Sequence, residues 1–451
     1  MRGILTGLGV LSSLASAIEA TQHDGIISYP LKATTARNIS KRQIEIGVEN
    51  GLDGVLYTID ISVGTPGQTV AVQVDTGSEE LWVNPECASS IDPAFCQSTG
   101  RFTQSTTLVD LITRGGKQYP LGNAEWEYGL DYVGVGSALL EGQIFGVADD
   151  TSGLPAGVLG LAPALSGWNS PYPLVLDNMA AQGYISSRAF SLDLRHAGAQ
   201  DGVVIFGGID TARYIGPLER LPIIPANQSP DGFTRYWVSA SSIAVSRQGK
   251  NDVIVSGTAR AFTLDTSYSL TGLPSPLFEA FIQAFPTAAP ASGTNQYTVD
   301  CYALQVIGAI RFTFGNTVIS IPYRDFISQK GNTCYLDVIR SDSLPVLGIN
   351  FLRAAYVVFD LDNREILMAN SAINDCGSNL VRIGSGPGAV PSIVGTCAGT
   401  SSFTTPISTS TSTPTSTGAS TSARVIFVHI GVIRFSKRNH TGTYKYLYLH
   451  L

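Results

Sequence analysis

Two segments of the chain repeat one pattern, in which apolar and β-branched residues lead into Asp-Thr and a small residue. The first segment, AVQVDTGS, presents Asp75, and the second, AFTLDTS, presents Asp265. Each is followed by an apolar-apolar-Gly element, which ends at Gly160, 85 residues after Asp75, and at Gly348, 83 residues after Asp265. A repeat of this size predicts two related lobes that each give one carboxylate to a shared site. Two carboxylates in contact can divide acid and base roles, because like charges push their pKa values apart.

The sequence between the two ends of the chain is typical of an all-β protein. From Tyr57 to Met368, short apolar or alternating segments are broken by Gly, Pro, Asn and Asp. Only 14% of the residues are charged, and 47 are glycine. Helical patterns are few, and 276–285 is the clearest of them. We expect an N-terminal lobe over 43–230 and a C-terminal lobe over 231–378.

The N-terminal end has the features of a secreted precursor. Residues 1–17 contain Arg2, a short apolar run and the small residues Ala-Ser-Ala, which together predict a signal peptide. Residues 18–42 end in Lys41-Arg42, a dibasic pair of the kind that processing proteases cut. The pair alone is equally compatible with a solvated surface charge. Its place directly after a signal peptide favours a short propeptide, and hence a zymogen.

The C-terminal end changes in composition. Residues 379–422 are predicted to form a Ser/Thr-rich stalk that carries O-glycans, and 423–451 a basic and apolar tail. A stalk of this kind can attach a protein to the cell wall or to a membrane surface, but the charged tail is unlike a lipid-anchor signal. Asn-X-Ser/Thr sequons at Asn38, Asn227 and Asn439 add glycosylation to the expectations.

Six cysteines suit an extracellular protein, because disulfides persist in oxidising compartments. Cys87 with Cys96 and Cys301 with Cys334 can each close a loop after one of the two aspartate motifs. Cys376 and Cys397 are left as a further candidate pair. The spacing of the cysteines does not match that of metal ligands, so neither a metal nor a cofactor is expected.

The charge pattern excludes several other classes of function. Residues 43–378 contain 17 Lys and Arg against 33 Asp and Glu, and this acidic balance argues against nucleic acid as a partner. It fits work at low pH, where protonation reduces the repulsion between carboxylates. The same region holds one histidine, His196, so a Ser-His-Asp or Cys-His mechanism would have to depend on a residue in an apparent surface loop.

Several motifs in the right order carry a resemblance to a known family. Asp75–Val83, read as DTGSEELWV, resembles the first active-site motif of the pepsin-like aspartic endopeptidases. Segments 61–66, 205–210 and 347–353 resemble further landmarks of that family, and the resemblance covers about residues 55–370. It implies two pseudo-twofold related β-barrel lobes with a few short helices and a cleft between the lobes. It also implies a monomer that cuts internal peptide bonds of polypeptide substrates at acid pH.

The resemblance carries roles onto single residues. Asp75 and Asp265 would be catalytic, with the ionised one of the pair deprotonating a bound water. The expected supporting residues are as follows: Thr76, Gly77, Ser78, Thr266 and Ser267 around the carboxyl groups, Tyr128 and Gly129 at the tip of a substrate-binding flap, and Trp82 as hydrogen-bond partner of the flap tyrosine.

The second motif departs from the family pattern at two positions. Ser267 stands where glycine is expected, and Tyr268 where a small hydroxyl residue normally donates to the carboxylate. A Cβ at Ser267 is expected to crowd Asp265 if the backbone there needs close approach. Loss of a donor would raise the pKa of the pair, unless Ser267 or Ser269 supplies the bond. A second hypothesis is therefore a pepsin-like pseudoenzyme that uses its cleft to bind peptides or cell-wall partners.

Overall fold

The computed structural model describes residues 21–23, 25–35, 55–196, 202–292 and 294–397. The predicted signal peptide, the dibasic pair at 41–42 and the chain beyond 397 lie outside these residues, as do the sequons at Asn38 and Asn439. None of the helices in the described residues has the length and apolar character needed to cross a membrane.

The N-terminal lobe and the strands that follow it are built from short strands with two helices. Their bounds are β1 Thr21–His23, β2 Ile26–Thr35, β3 Val55–Val63, β4 Gln68–Asp75, β5 Leu81–Val83, α1 Pro93–Ser98, β6 Val109–Tyr119, β7 Gly122–Val135, β8 Ala138–Ser152, β9 Gly157–Gly160, α2 Val175–Ala181, β10 Ala189–Asp193, β11 Gly202–Phe206, β12 Gly208–Asp210 and β13 Tyr214–Pro222.

The C-terminal lobe has the same character. Its bounds are β14 Trp237–Ala240, β15 Ser242–Arg247, β16 Val253–Ser256, β17 Arg260–Leu264, β18 Thr271–Leu273, α3 Ser275–Gln283, β19 Ala289–Pro290, β20 Tyr297–Val299, β21 Gly308–Phe314, β22 Thr317–Pro322, α4 Tyr323–Phe326, β23 Ile327–Lys330, β24 Thr333–Leu336, β25 Val338–Arg340, β26 Val346–Leu347, α5 Ile349–Leu352, β27 Ala355–Asp360, β28 Glu365–Ser371, β29 Leu380–Arg382 and β30 Val394–Thr396. Short 3-10 turns lie at Ala226–Gln228 and Cys301–Gln305.

One strand ring closes the N-terminal lobe into a barrel. The order β3-β4-β9-β5-β8-β7 returns to β3, because β7 also pairs with β3. Alternation along the strands sends side chains such as Ile59, Val72 and Leu140 into the barrel, where each is fully buried. In the C-terminal lobe β14 to β26 form a five-stranded sheet and two four-stranded sheets, whereas β27, β28 and β30 join the large sheet and β29 pairs with β12. The expected all-β, bilobal fold is confirmed, with a closed barrel in one lobe.

The two lobes repeat one strand arrangement around their aspartates. In the N-terminal lobe β4 pairs in parallel with β9, β9 antiparallel with β5, and β5 in parallel with β8. In the C-terminal lobe β17, β26, β18 and β25 pair with the same succession of directions. The internal repeat predicted from the sequence is therefore a repeat of topology.

Glycine allows the two elements of each repeat to cross at close range. A Cβ at Gly160 would lie 2.6 Å from the carbonyl oxygen of Ser78, and a Cβ at Gly348 would lie 2.3 Å from that of Tyr268. These distances are shorter than non-bonded atoms tolerate, so only a residue without a side chain fits. The apolar-apolar-Gly element thus holds the loop that follows each aspartate.

The stretch predicted as a propeptide contributes a central strand. β2 pairs with β11 on one side and with β3 on the other, and β1 pairs back onto β2. Ile27 and Leu31 of β2 are buried in the core, and the Tyr29 hydroxyl donates to the carbonyl of Asp60 over 2.7 Å. The described part of 18–42 is thus built into the sheet. Cleavage at Lys41-Arg42 stays a prediction, because that pair lies outside the described residues.

The folded region extends beyond the boundary predicted at 378. We call Asp375–Cys397 the C-terminal strap; within it β29 pairs with β12, and β30 pairs with β13. Ile383 and Val390 of the strap are buried against Tyr214 and Tyr356. The assignment of 379–397 to the stalk was wrong, because β30 forms an edge strand of the large sheet, β29 pairs with β12, and the apolar residues of the segment are buried.

Three disulfides lie within the described residues. Cys87–Cys96 and Cys301–Cys334 confirm the two predicted pairs, and Cys376–Cys397 joins the ends of the C-terminal strap.

Candidate active site

The two aspartates end equivalent strands and meet at the interface between the lobes. Asp75 is the last residue of β4, and Asp265 directly follows β17. Both side chains are buried, with exposed fractions of 1% and 3%. Asp75 is in register with Gly160, and the backbone N–H of Asp265 donates to the carbonyl of Leu347. Each aspartate is therefore placed by the apolar-apolar-Gly element of its own lobe.

The threonines that follow the aspartates bind the lobes to each other. The N–H of Thr76 donates to Oγ1 of Thr266 over 3.0 Å, and the N–H of Thr266 donates to Oγ1 of Thr76 over 3.1 Å. The two hydroxyls then donate onward across the interface, that of Thr76 to the carbonyl of Leu264 over 3.1 Å and that of Thr266 to the carbonyl of Val74 over 2.7 Å. Four reciprocal bonds in a buried setting fix the relative position of the two aspartates.

Backbone amides and one hydroxyl stabilise the carboxyl groups. The N–H of Gly77 donates to Oδ1 of Asp75 over 2.7 Å, and that of Ser267 donates to Oδ1 of Asp265 over 2.8 Å. Oγ of Ser267 adds a second bond to the same oxygen over 2.6 Å. A Cβ at Gly77 would lie 2.1 Å from Oδ2 of Asp265, so the carboxyl group of one lobe lies directly on the catalytic loop of the other.

Burial raises the pKa of both carboxyl groups, and for Asp75 the proximity of the second carboxyl group adds to the rise. For Asp75 desolvation is the largest cause of the raised pKa, and the negative charge of Asp265 adds to it. For Asp265 desolvation again raises the pKa, and the two bonds from Ser267 oppose it. A buried pair with raised pKa retains one shared proton at pH values where an exposed aspartate has lost it.

Two cations lie close enough to act on the pair. The ammonium of Lys117, on β6, lowers the pKa of both aspartates, and the guanidinium of Arg235 lowers that of Asp265. Lys117 also forms a salt bridge with Glu79 over 2.9 Å and donates to the carbonyl of Gly77 over 3.3 Å. No sequence pattern marks this position, because a lone lysine in a strand usually points into solvent.

The flap tip is at a different place from the one predicted. The hairpin of β6 and β7 turns between Tyr119 and Gly122, which face each other in the register. Tyr128 lies well inside β7, opposite Gly146 of β8, so the prediction that Tyr128 and Gly129 form the flap tip was wrong. Strand pairing places the turn at Pro120-Leu121, and this turn signal was present in the sequence.

Tyr119 occupies the place expected for the flap tyrosine. Its hydroxyl accepts a hydrogen bond from Nε1 of Trp82 over 2.7 Å and lies 3.4 Å from Oγ of Ser78. Trp82 in turn stacks on Trp126, with ring centroids 6.0 Å apart. Trp82 therefore does bind a tyrosine of the flap hairpin, but the partner is Tyr119. Asp75 raises the pKa of this phenol, after desolvation, so the flap tyrosine lies within electrostatic range of the catalytic pair.

The unusual second motif supplies its own donor. Ser267 stands at the position where glycine was expected, and its hydroxyl makes the bond to Asp265 that Tyr268 would otherwise have to provide. Positive φ values at non-glycine residues occur in the described chain at Asn84, Ile112, Arg195 and Arg364, and Ser267 is not among them. The backbone of this turn is therefore one that serine adopts without strain, and the expected crowding of Asp265 does not occur.

A bilobal β fold with one buried aspartate from each lobe, joined by reciprocal threonine bonds, defines the class of two-lobed aspartic proteases. The model of the family described as "Eukaryotic aspartyl protease" matches residues 56–371, and the chain belongs to this family.

Individual relatives cover most of the chain. It is 29% identical over 415 residues to the probable aspartic-type endopeptidase opsB of Aspergillus oryzae, covering 85% of this chain and 84% of the relative. It is 32% identical over 327 residues to secreted aspartic protease 8 of Candida albicans, covering 70% and 76%. Among solved structures, the aspartic proteinase from Irpex lacteus matches with a TM-score of 0.59 and 20% identity, covering 78% of this chain and 100% of that chain. The last likeness bears on the fold alone.

Proposed function

We propose that the protein is a secreted aspartic endopeptidase that hydrolyses internal peptide bonds of polypeptides at acid pH. One observation carries the proposal: Asp75 and Asp265 are buried together at the lobe interface and are held there by the reciprocal bonds of Thr76 and Thr266. Secretion is supported by the signal-like N-terminus, by the three disulfides and by the likeness to proteases named as secreted.

The pair would act by activating water. In the singly protonated state the ionised aspartate removes a proton from a water molecule as its oxygen attacks the scissile carbonyl carbon. The protonated aspartate donates a hydrogen bond to the carbonyl oxygen, which develops negative charge, and a proton then passes to the leaving amine as the C–N bond breaks. Water and the two carboxyl groups account for every proton that moves, and no covalent intermediate forms.

The surroundings suit this chemistry. Raised pKa values of both aspartates keep one proton on the pair through the acid range, and ionisation of both groups at higher pH would remove the acid. Tyr119, held by Trp82, would close over bound substrate from the flap hairpin. One chain supplies both aspartates, so the proposed active form is a monomer. The dibasic pair Lys41-Arg42 supports its release from a zymogen.

Asp75→Asn tests the function directly. The variant keeps the size of the side chain but removes the shared proton system, so cleavage of an acid-denatured protein should fall by about 10³-fold or more. The assay follows peptide release from pH 2 to pH 7, with and without a statine-type inhibitor, and the circular dichroism spectrum shows that the variant is folded.

The pseudoenzyme is the alternative outcome of the same assay. It would be favoured if the wild-type protein released no inhibitor-sensitive peptides at any pH and behaved as Asp75→Asn does. A Ser267→Gly variant that then gained cleavage would locate the defect in the second catalytic loop.

A further inference from the structure

A second acidic side chain, Glu80, lies beside the first catalytic loop, and the nearby cation Lys117 forms its salt bridge with Glu79 instead. Its neighbour Glu79 is paired with Lys117 over 2.9 Å. Within the part of the chain that the structure describes, Glu80 makes no salt bridge, and the charges of these three residues leave one negative charge uncompensated. The side chain of Glu80 is only partly exposed, so this charge is not simply solvated.

Two tyrosines hold the Glu80 carboxyl group in a defined position. The hydroxyl of Tyr128 donates to Oε1 over 3.1 Å, and the hydroxyl of Tyr172 donates to Oε2 in a short contact. The two rings pack edge to face, with centroids 5.8 Å apart. Tyr128 comes from β7 of the flap hairpin and Tyr172 from the loop before α2, so three separate segments build this cluster.

The cluster lies on the face of the flap hairpin that looks toward the catalytic loop. Residues at alternate positions of a strand share a face, and Gly115, Lys117 and Tyr119 of β6 are the less exposed set. Tyr119 contacts Ser78, and Lys117 contacts the carbonyl of Gly77. A Cβ at Gly115 would lie 2.5 Å from the hydroxyl oxygen of Tyr128, so the Glu80 cluster continues this row away from the aspartates.

The chemistry of the cluster favours a cation. Desolvation is the largest cause of the raised pKa of Glu80, and the charge of Glu79 adds to it. The bonds from Tyr172 and Tyr128 and the charge of Lys117 offset this rise only in part. A carboxylate has about four lone-pair sites, so two donors leave room for further partners. A bond from an ammonium or guanidinium group to a partly buried carboxylate is about twice as strong as a neutral hydrogen bond.

We propose that Glu80 is a specificity-determining residue that binds a lysine or arginine side chain of the substrate, in the part of the cleft between the flap hairpin and the loop before α2. This inference rests on the proposed proteolytic function. Glu80 touches no reacting atom, so it would act on which peptides are cut and leave the chemical step to the aspartate pair.

The competing explanation is structural. Glu80 would then serve only to fix Tyr128 and Tyr172, and no substrate position would prefer a cation. Glu80→Gln separates the two explanations, because the amide keeps the size of the side chain and one acceptor for the tyrosines while it removes the charge. Glu141→Gln, which removes an exposed carboxylate from β8, is the matched control.

The experiment measures kcat/KM for quenched fluorescent peptides in which lysine or its uncharged isostere norleucine is placed at each of four positions on either side of the scissile bond. Because the raised pKa leaves the Glu80 carboxyl group neutral at the acid end of the range, the peptides are compared at the upper end of the pH range in which the protein cleaves, where Glu80 is ionised. There we expect one position at which the wild-type protein and Glu141→Gln prefer lysine by about 10-fold. At that position Glu80→Gln should lose the preference, and its kcat/KM for the norleucine peptide should stay within 2-fold of wild type.

Three results would overturn the inference while leaving the proposed function intact. They are cleavage with no lysine preference at any position, a preference that Glu80→Gln retains, and an equal loss of kcat/KM for both peptides in Glu80→Gln. The last result is the one a purely structural role predicts. Absence of cleavage by the wild-type protein, by contrast, would contradict the proposed function itself.

Discussion

The two catalytic loops share a pattern of backbone hydrogen bonds and differ in the residue two positions after the aspartate, which is Gly77 in one and Ser267 in the other. In both, the N–H two residues after the aspartate donates to Oδ1, over 2.7 Å at Gly77 and 2.8 Å at Ser267. In both, the intervening threonine reaches across to the other lobe. The first loop has no side chain at its third position, whereas the second carries a hydroxymethyl group that bonds to Asp265.

Because of this difference, the two loops make different contacts with the aspartate pair. Gly77 makes room for the carboxyl group of the opposite lobe, since a Cβ there would lie 2.1 Å from Oδ2 of Asp265. Ser267 instead stabilises the carboxyl group of its own lobe. The two loops have the same topology but different roles at Asp265: the first leaves space for its carboxyl group, and the second donates a hydrogen bond to it.

Among the substitutions that test this difference between the loops, Gly77→Ala should cause the largest loss of activity and stability. The new methyl group would collide with Asp265, so either the carboxyl group moves or the lobes separate. We expect a loss of activity of about 100-fold or more, together with destabilisation by about 1–3 kcal/mol from overpacking. Activity assays and chemical denaturation measure the two effects. Ser267→Ala retains a Cβ at the equivalent position and is the control; an active, stable Gly77→Ala would mean that the first loop tolerates a side chain as the second does.

Ser267→Ala itself should have a smaller effect, and on the pH profile as well as on the rate. Removal of the hydroxyl takes one donor away from the ionised form of Asp265, so the pKa of the pair rises further. The acid limb of the kcat/KM profile should then move to higher pH, with an activity loss of about 10-fold, in line with a bond to a charged group worth about 1.5–3 kcal/mol. Ser267→Thr, which keeps a hydroxyl, should stay near wild type. An unchanged profile would show that the amide of residue 267 is sufficient.

The smallest expected effect is on the pH dependence of stability. Both aspartates have raised pKa values in the folded state, so the stabilisation they give is complete below the ordinary carboxyl pKa of about 4 and is lost as pH rises through the raised folded values. The melting temperature should fall between pH 4 and pH 8. In Asp265→Asn, which removes one titrating group and the repulsion acting on Asp75, that fall should be smaller by about 2 °C. An equal fall in both proteins would assign the pH dependence to other buried acids, such as Asp193 and Asp360, whose pKa values are also raised by burial.

Local patterns predicted the fold and the aspartate pair because the requirements there are local. A β-strand that delivers Asp-Thr into a tight turn, and a glycine such as Gly160 or Gly348 where chains cross, are visible in a few consecutive residues. Thr76 and Thr266, which the sequence analysis places around the carboxyl groups, follow the aspartates there and bond across the lobe interface.

The flap turn has a local signal at Pro120-Leu121, but the identity of the flap tyrosine and the partners of Glu80 depend on residues far apart in the sequence. The Tyr-Gly dipeptide at Tyr128 matches the family's flap motif, so it was predicted as the flap tip in place of Tyr119. Only the register of the whole β6–β7 hairpin shows that Tyr119 lies next to the turn. The partners of Glu80 come from strands and loops up to 92 residues away, so no local window contains them. The C-terminal strap looked like linker because its glycines and serines mask the two short strands that a disulfide holds in place.

The C-terminal strap determines where a recombinant protein should stop. The family match ends at residue 371, yet a chain ended there would lose the cover over Tyr214, whose hydroxyl donates to the carbonyl of Ile393 over 2.8 Å. A chain ended at 378 would leave Cys376 without Cys397. The free thiol could then form intermolecular disulfides during purification. Expression for assay should therefore run through Cys397.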